Sequence, residues 1–201
     1  MKFLIDTQQS KLAAKQSAFP DLVGGQLQTP LTGYRVAPVA FGVDNGAFSG
    51  FDGRKFRRLL TRLQPHADRC MFVACPDIVG NARRTLELWR NRDRWGLESW
   101  PAAFVAQDGA EDVELPFGQM SALFIGGSDA FKESRTARDL IRVAQAMQLH
   151  THVGRVNTYR RWQLFSECGV DTCDGSGVAR YDWMLEKIQR RRLRANQPGL
   201  F

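Results

Sequence analysis

Cysteine and histidine are scarce in this chain, and long apolar runs are absent. The 201 residues hold 4 cysteines and 3 histidines. That is too few cysteines for a disulfide scaffold, so a reduced, cytoplasmic state is the expectation. They form two C-x4-C pairs, Cys70/Cys75 and Cys168/Cys173. Residues five apart on a strand point to opposite faces, and zinc sites use tighter spacings, often with histidine, so no metal site is expected. No apolar run approaches the roughly 18 residues of a membrane span. The start, Met1-Lys2-Phe3-Leu4-Ile5-Asp6, meets an acid too early for a signal peptide, and no membrane partner is expected. Neither G-x-G-x-x-G after the first strand-like run nor a P-loop is present, which removes two common nucleotide-binding signals.

What is present describes an ordinary globule. Hydrophobic residues make up 43% and charged residues 24% of the chain, which excludes disorder, collagen and coiled coil. The length suits a single domain, 1–201, ending in a short basic tail from about residue 189. The net charge is +7, and arginine carries most of it, with 22 Arg against 6 Lys. The guanidinium fork matches phosphate, so nucleic acid is the natural partner. The plainer source of the same bias is a GC-rich genome, which also favours arginine codons.

Short apolar runs alternate with longer helical patterns. The runs are Val39–Val43, Met71–Ala74, Ala102–Ala106, Ala122–Ile125, Thr151–Gly154 and Gly169–Thr172, with Phe3–Ile5 as a further candidate. Runs this short and continuous suit strands buried on both faces. Between them, Phe56–Leu63, a stretch capped by Asn81, Thr136–Met147, Tyr159–Phe165 and Tyr181–Ile188 read as amphipathic helices. Six or seven strand–helix units in this length predict an α/β protein, a compact (β/α)8 TIM-type barrel near the lower size limit.

The polar residues gather just after the apolar runs: Asp44-Asn45-Gly46, Cys75-Pro76-Asp77, Gln107-Asp108-Gly109, Gly126-Gly127-Ser128, Gly154-Arg155-Val156-Asn157 and Cys173-Asp174-Gly175. A single Asp there is usually a helix cap or turn former. Six such ends, opening on one face of a parallel barrel, describe a polar pocket. An Asp and a Gln together can read the donor and acceptor edge of a purine, and glycines let a flat ligand touch backbone. Two carboxylates across a pocket suit chemistry at an anomeric carbon, one as nucleophile and one moving protons. His66, His150 and His152 read as structural or surface residues, and the five tryptophans as core or helix-packing residues. Asp171, on the strand before Asp174, reads as a structural hydrogen-bonding residue.

At these residues the sequence resembles the tRNA-guanine transglycosylase superfamily, and most closely the short phage-type 7-deazaguanine DNA transglycosylases, the DpdA-like branch. The resemblance runs from about Val39 to Gly177. It rests on Val43-Asp44-Asn45-Gly46-Ala47-Phe48, Pro76-Asp77-Ile78, Val105-Ala106-Gln107-Asp108-Gly109, Phe124-Ile125-Gly126-Gly127-Ser128 and Gly169-Val170-Asp171-Thr172-Cys173-Asp174. It implies a (β/α)8 barrel and a DNA-guanine transglycosylase that exchanges guanine for a 7-deazaguanine base, such as 7-cyano-7-deazaguanine. On that reading Asp174 is the nucleophile and Asp44 the general acid/base. Asp77 and Gln107 hold the base edge, Asn45 stands beside them, and Gly126 and Gly127 line the base pocket. No cofactor is implied. The resemblance also implies a phage-type protein acting in a host cytoplasm.

The chain departs from the family's tRNA enzymes in two places. It has no run of three close cysteines and a histidine, hence no zinc subdomain, which makes DNA a better expectation than tRNA. Asn45 replaces a serine common in those enzymes. Lys132, Arg155, Asn157, Arg160 and Arg161 are candidate phosphate contacts, a solvated helix face being the plainer reading. A tRNA-guanine transglycosylase, a base-releasing N-glycosylase and a non-catalytic nucleic-acid-binding barrel remain alternatives. A homodimer or a modification-complex partner is also open.

Overall fold

The computed structural model describes residues 1–195. Eight strands, all parallel, close into a barrel in sequence order. They are β1 (Lys2–Ile5), β2 (Val23–Gln28), β3 (Phe41–Val43), β4 (Cys70–Ala74), β5 (Ala102–Ala106), β6 (Ala122–Ile125), β7 (His150–Val153) and β8 (Thr172–Cys173). Closure pairs Lys2 with Thr172 and Phe3 with Cys173. The helices are α1 (Gln9–Ala18), α2 (Gly53–Leu63), α3 (Ala82–Arg90), α4 (Asp129–Lys132), α5 (Arg135–Ala146), α6 (Tyr159–Glu167), α7 (Ser176–Arg180) and α8 (Trp183–Ala195). The chain is a compact (β/α)8 barrel, as its alternating pattern predicts.

The helices start where the sequence supplies caps. Asp52, Asn81, Ser128, Ser134 and Thr158 each accept backbone N–H groups at the starts of α2 to α6. In α2 the helical spacing of Phe56, Leu59, Leu60 and Leu63 makes one continuous buried face. Strand residues pointing outward, such as Phe3, Ile5, Val73 and Phe104, join these helix faces in the main core. Residues pointing inward make a second, smaller cluster of Leu4, Leu27, Phe72, Ala74, Ala103, Val105, Ala122 and Phe124. The interior is filled by alternating large and small side chains. Gly42 belongs to this scheme, since a Cβ there would lie 2.5 Å from the Phe72 ring and 2.8 Å from Leu4.

The sequence pattern passes over β2, α1 and the short α4 and α7. The segment Val-Gly-Gly-Gln-Leu-Gln does not read as an apolar run, yet Gln26 and Gln28 are buried. Gln26 is satisfied at both ends: its amide donates to Thr7 O (2.9 Å) and Arg35 O (3.0 Å), and its carbonyl accepts the Ala37 N–H (2.8 Å). A buried strand can therefore carry a polar side chain that ties down a neighbouring loop. The last strand also begins later than the Gly169–Thr172 run suggests. Gln189 to Arg194 of the basic tail lie within α8, and residues 196–201 of it fall outside the described residues. No helix among the described residues is long and apolar enough to cross a membrane.

Candidate active site

The carboxyl ends of β3 to β8 meet around one pocket of about 460 Å³. Ala74, Val105 and Phe124 give it apolar walls, and Asp44, Asn45, Asp77, Gln107, Lys132, Arg155 and Asp174 line it with polar groups. This is the end of a parallel barrel where substrate sites are built. The two acids, the Asp/Asn/Gln set and the glycine pair singled out in the sequence are all brought together here.

On the β3–β5 side, Asp77 is held by two amides. Asn45 Nδ2 donates to one carboxylate oxygen at 2.7 Å, and Gln107 Nε2 donates to the other at 2.6 Å. The same Asn45 amide also donates to Cys75 O at 2.7 Å, and Gln107 Oε1 accepts the Gly80 N–H at 2.9 Å. Asp77 is pushed up to about 6, because burial penalises its charge and the two amides only partly restore it. Gly126 makes room for this arrangement: a Cβ there would lie 2.6 Å from Gln107 Nε2.

Asp44 leaves the end of β3 in a tight turn, its Oδ1 accepting the Gly46 N–H at 2.6 Å. It is partly open to the pocket yet enclosed by protein on its other sides. Burial, and then the charge of Asp174, push it up to about 7. A carboxyl poised near neutrality can both give and take a proton.

Across the pocket, Asp174 is held by different groups. Its Oδ1 accepts the Arg155 backbone N–H at 2.9 Å, and its Oδ2 is 3.0 Å from His152 Nε2. Arg155 adopts a left-handed φ of 60°, unusual for a non-glycine residue. Its guanidinium donates to Gly127 O at 2.8 Å and lies 3.9 Å above the Phe48 ring, bridging two loops at the pocket mouth.

Of the remaining phosphate candidates, Asn157 and Arg160 are exposed, although Arg160 pairs with Glu133 at 2.8 Å. Two others have partners or surroundings within the protein. Arg161 is committed to Asp129 (2.7 Å) and Glu133 (2.9 Å). Lys132 is only 1% exposed: α4 folds back and turns its side chain inward. Among the described residues its ammonium has no hydrogen-bond partner, and the nearest carboxylate, Asp129, is 3.8 Å away. Burial, then the Arg155 charge, lower Lys132 to about 8.

His152 was passed over as structural, and it contacts the candidate nucleophile. It is fully buried on β7, facing inward beside Asp174. The signal was a period-two polar pattern: His150, His152 and Gly154 alternate along β7, as Thr172 and Asp174 do along β8. Asp171 takes the structural role read from sequence, accepting the Thr151 N–H and hydroxyl, each at 2.8 Å. All four cysteines are free, and no group of three or more His, Cys, Asp or Glu among the described residues is placed to hold a metal ion.

Fold and site together define a closed (β/α)8 barrel whose carboxylate-lined pocket opens at the carboxyl ends of its strands. No protein-family model, curated protein or solved structure matches the chain.

Proposed function

We propose that the chain is a DNA-guanine transglycosylase that exchanges guanine for a free 7-deazaguanine base through a covalent Asp174–glycosyl intermediate. The observation that carries this reading is one pocket holding an amide-fixed carboxylate, Asp77, across from a second fixed carboxylate, Asp174, with a near-neutral acid, Asp44, in the same wall. Guanine presents two N–H donors and one carbonyl acceptor along its pairing edge. Asp77 keeps lone pairs for the donors, and Gln107 keeps an N–H for the carbonyl.

A nucleotide must leave the duplex stack to reach such a pocket. Asp174 attacks the anomeric carbon, the glycosidic bond breaks, and guanine leaves with the Asp44 proton. The incoming base returns its ring proton to Asp44 and displaces Asp174 from the same carbon. Two inversions give net retention. One glycosidic bond replaces another, so the exchange needs no external energy source.

The charge distribution supports a polyanionic partner. Acids are favoured in the first turn of a helix, where the dipole is positive. The first turns of α2, α3 and α5 hold no acid and instead carry Arg54 and Lys55, Arg83 and Arg84, and Arg135. These helix starts follow the strand ends, so the cations ring the pocket face. DNA is preferred over tRNA because these 201 residues hold no run of three close cysteines and a histidine, and a cytoplasmic setting accords with the free cysteines.

The test is base exchange on duplex DNA with 7-cyano-7-deazaguanine, read by nucleoside mass spectrometry, with Asp174→Ala as control. A 7-deazaguanine deoxynucleoside that disappears in the control supports the reading. Exchange on tRNA alone, release of guanine without an incoming base, or DNA binding that Asp174→Ala leaves intact in a protein without chemistry would each replace it with the corresponding alternative.

A further inference from the structure

A hydrogen-bonded chain crosses the barrel interior behind Asp174. His150 Nε2 is 2.8 Å from Thr172 Oγ1, which is 2.9 Å from His152 Nδ1, and His152 Nε2 is 3.0 Å from Asp174 Oδ2. At its far end His150 Nδ1 lies 3.9 Å from Asp171 Oδ2. The strand register makes this possible. His152 pairs with Thr172 across β7 and β8, so the inward residues of both strands interleave in one file.

The proton positions follow from the acceptors. An ionised Asp174 can only accept, so His152 Nε2 carries hydrogen. Neutral His152 then accepts at Nδ1, and the Thr172 hydroxyl donates to it. Thr172 accepts in turn from His150 Nε2–H. Every donor therefore points toward Asp174. The rings cannot easily rotate out of this order. Phe72 stacks on His150 at 5.6 Å and tilts against His152 at 4.7 Å, and Phe124 lies 4.6 Å from His152 on its other side.

We propose that His152 is the positioning residue for Asp174, locked as its Nε2–H tautomer by Thr172, and that Thr172 passes the protonation of His150 on to that carboxylate from the opposite mouth of the barrel. His152 itself is sealed from water, whereas the His150 side chain is 23% exposed, so a proton enters at His150. Moving it along the chain breaks the His150 N–H and Thr172 O–H bonds and forms new ones at Thr172 Oγ1 and His152 Nδ1. The result is an imidazolium beside Asp174, a stronger donor that makes the carboxylate a weaker nucleophile. The groups facing the chain are Phe72 from β4, Phe124 from β6, and Asp171, Thr172 and Asp174 from the β8 segment, and Asp174 is faced in turn by Asp6, Asp44, Lys132 and the Arg155 N–H. Burial, and then His152, hold His150 below the ordinary imidazole range, so His150 is neutral at pH 7.

The activity arm rests on the transglycosylase reading; the spectroscopic arm does not. In long-range nitrogen–proton correlation spectra of the full chain, His152 is expected as the neutral Nε2–H tautomer at pH 7, and Thr172→Val is expected to mix its tautomers. An Nδ1–H tautomer in the unaltered protein overturns the proposal. In single-turnover guanine release, where Asp44 acts only as an acid, His152→Phe is expected to lower the rate constant about tenfold to a hundredfold with KM nearly unchanged. His152→Gln keeps an N–H at the Nε2 position and is expected to recover most of that rate while shifting the acid limb to lower pH. His152→Phe at the unaltered rate, or a His152→Gln acid limb that stays in place, overturns the proposal. Should the phenylalanine variant fail to fold, His152→Gln and Thr172→Val carry the decision. Should the unaltered protein release no guanine, the transglycosylase reading fails and the tautomer still decides.

Discussion

The two facing carboxylates of the pocket are held by different chemistry. Asp77 rests between two amides, Asn45 and Gln107, which cannot change protonation. Asp174 rests between a backbone N–H and an imidazole that belongs to a titratable chain. Amides give a fixed donor pattern, which suits recognition. An imidazole fixes geometry and can also alter the charge beside a nucleophile, which suits a reacting group. Under the proposed function the difference separates a reading side from a reacting side within one pocket, and substitutions on each side should fail in different ways.

The reacting side carries the largest expected effect. Asp174→Asn keeps size but cannot attack and loses one acceptor, so exchange is expected to fall by about a thousandfold or more while DNA binding stays within about twofold. Rates by mass spectrometry and binding by fluorescence anisotropy check the two halves. On the reading side, Asp77→Asn is expected to lower kcat/KM by about a hundredfold, with much of the loss in affinity for the free base. The new amide turns one acceptor into a donor facing the N–H of Asn45 or Gln107, so the array itself is broken. Equal losses of the same kind in both variants would abolish the distinction between the two sides.

Asp44 lies between them and sharpens the comparison through pH. Its folded-state value is about 7 against an ordinary 3.8, so between those values the folded chain binds more protons than the unfolded chain. Its contribution to stability is full below about pH 4 and is lost as pH rises through 7. His150, held below its ordinary value, has the opposite sign and weakens the fold as pH falls below 6.5. Asp44→Asn is therefore expected to stabilise the protein at pH 8 by on the order of 1–3 kcal/mol, and to do nothing at pH 4. Urea unfolding from pH 4 to 8 measures this. The same variant is expected to lose about a hundredfold or more in exchange rate.

Legibility in the sequence follows a similar division. The barrel was legible because inward and outward faces are both apolar, so strands such as Ala102–Ala106 stand out as continuous runs. The pocket wall is legible because Asp44, Asp77 and Gln107 sit at strand ends, just where the apolar signal stops. The His150–Thr172–His152 file is not, because it lies inside strands, where polar residues dilute the same signal. β2 escapes notice for that reason too: Gln26 is satisfied by contacts invisible in one dimension, and Gln28 is held only through its carbonyl, which accepts from Arg62. A lysine after a Gly-Gly-Ser loop reads as a candidate phosphate contact, and only the structure shows that its side chain is buried in the pocket lining.

Lys132 tests whether a cation belongs to the reacting side. Its ammonium is buried without a hydrogen-bond partner among the described residues, in the lining that also holds Gly127 and Asp174. Burying a charge whose nearest carboxylate is 3.8 Å away costs stability, so Lys132→Met, which keeps length and removes charge, is expected to raise stability by about 1–3 kcal/mol at pH 7. Since the lysine releases its proton near 8, that gain is expected to shrink above pH 8, where the unaltered protein no longer holds the charge. The folded-state value is depressed, so the unfolded chain binds more protons between about 8 and the ordinary 10.5, and the penalty on the unaltered protein is relieved across that window. A gain in stability joined to slower exchange would show a cation kept for its substrate, whereas a gain with unchanged exchange would leave it a packing residue and return the reacting side to Asp174, His152 and Arg155 alone. Thermal melts and single-turnover rates on the same preparation distinguish these outcomes.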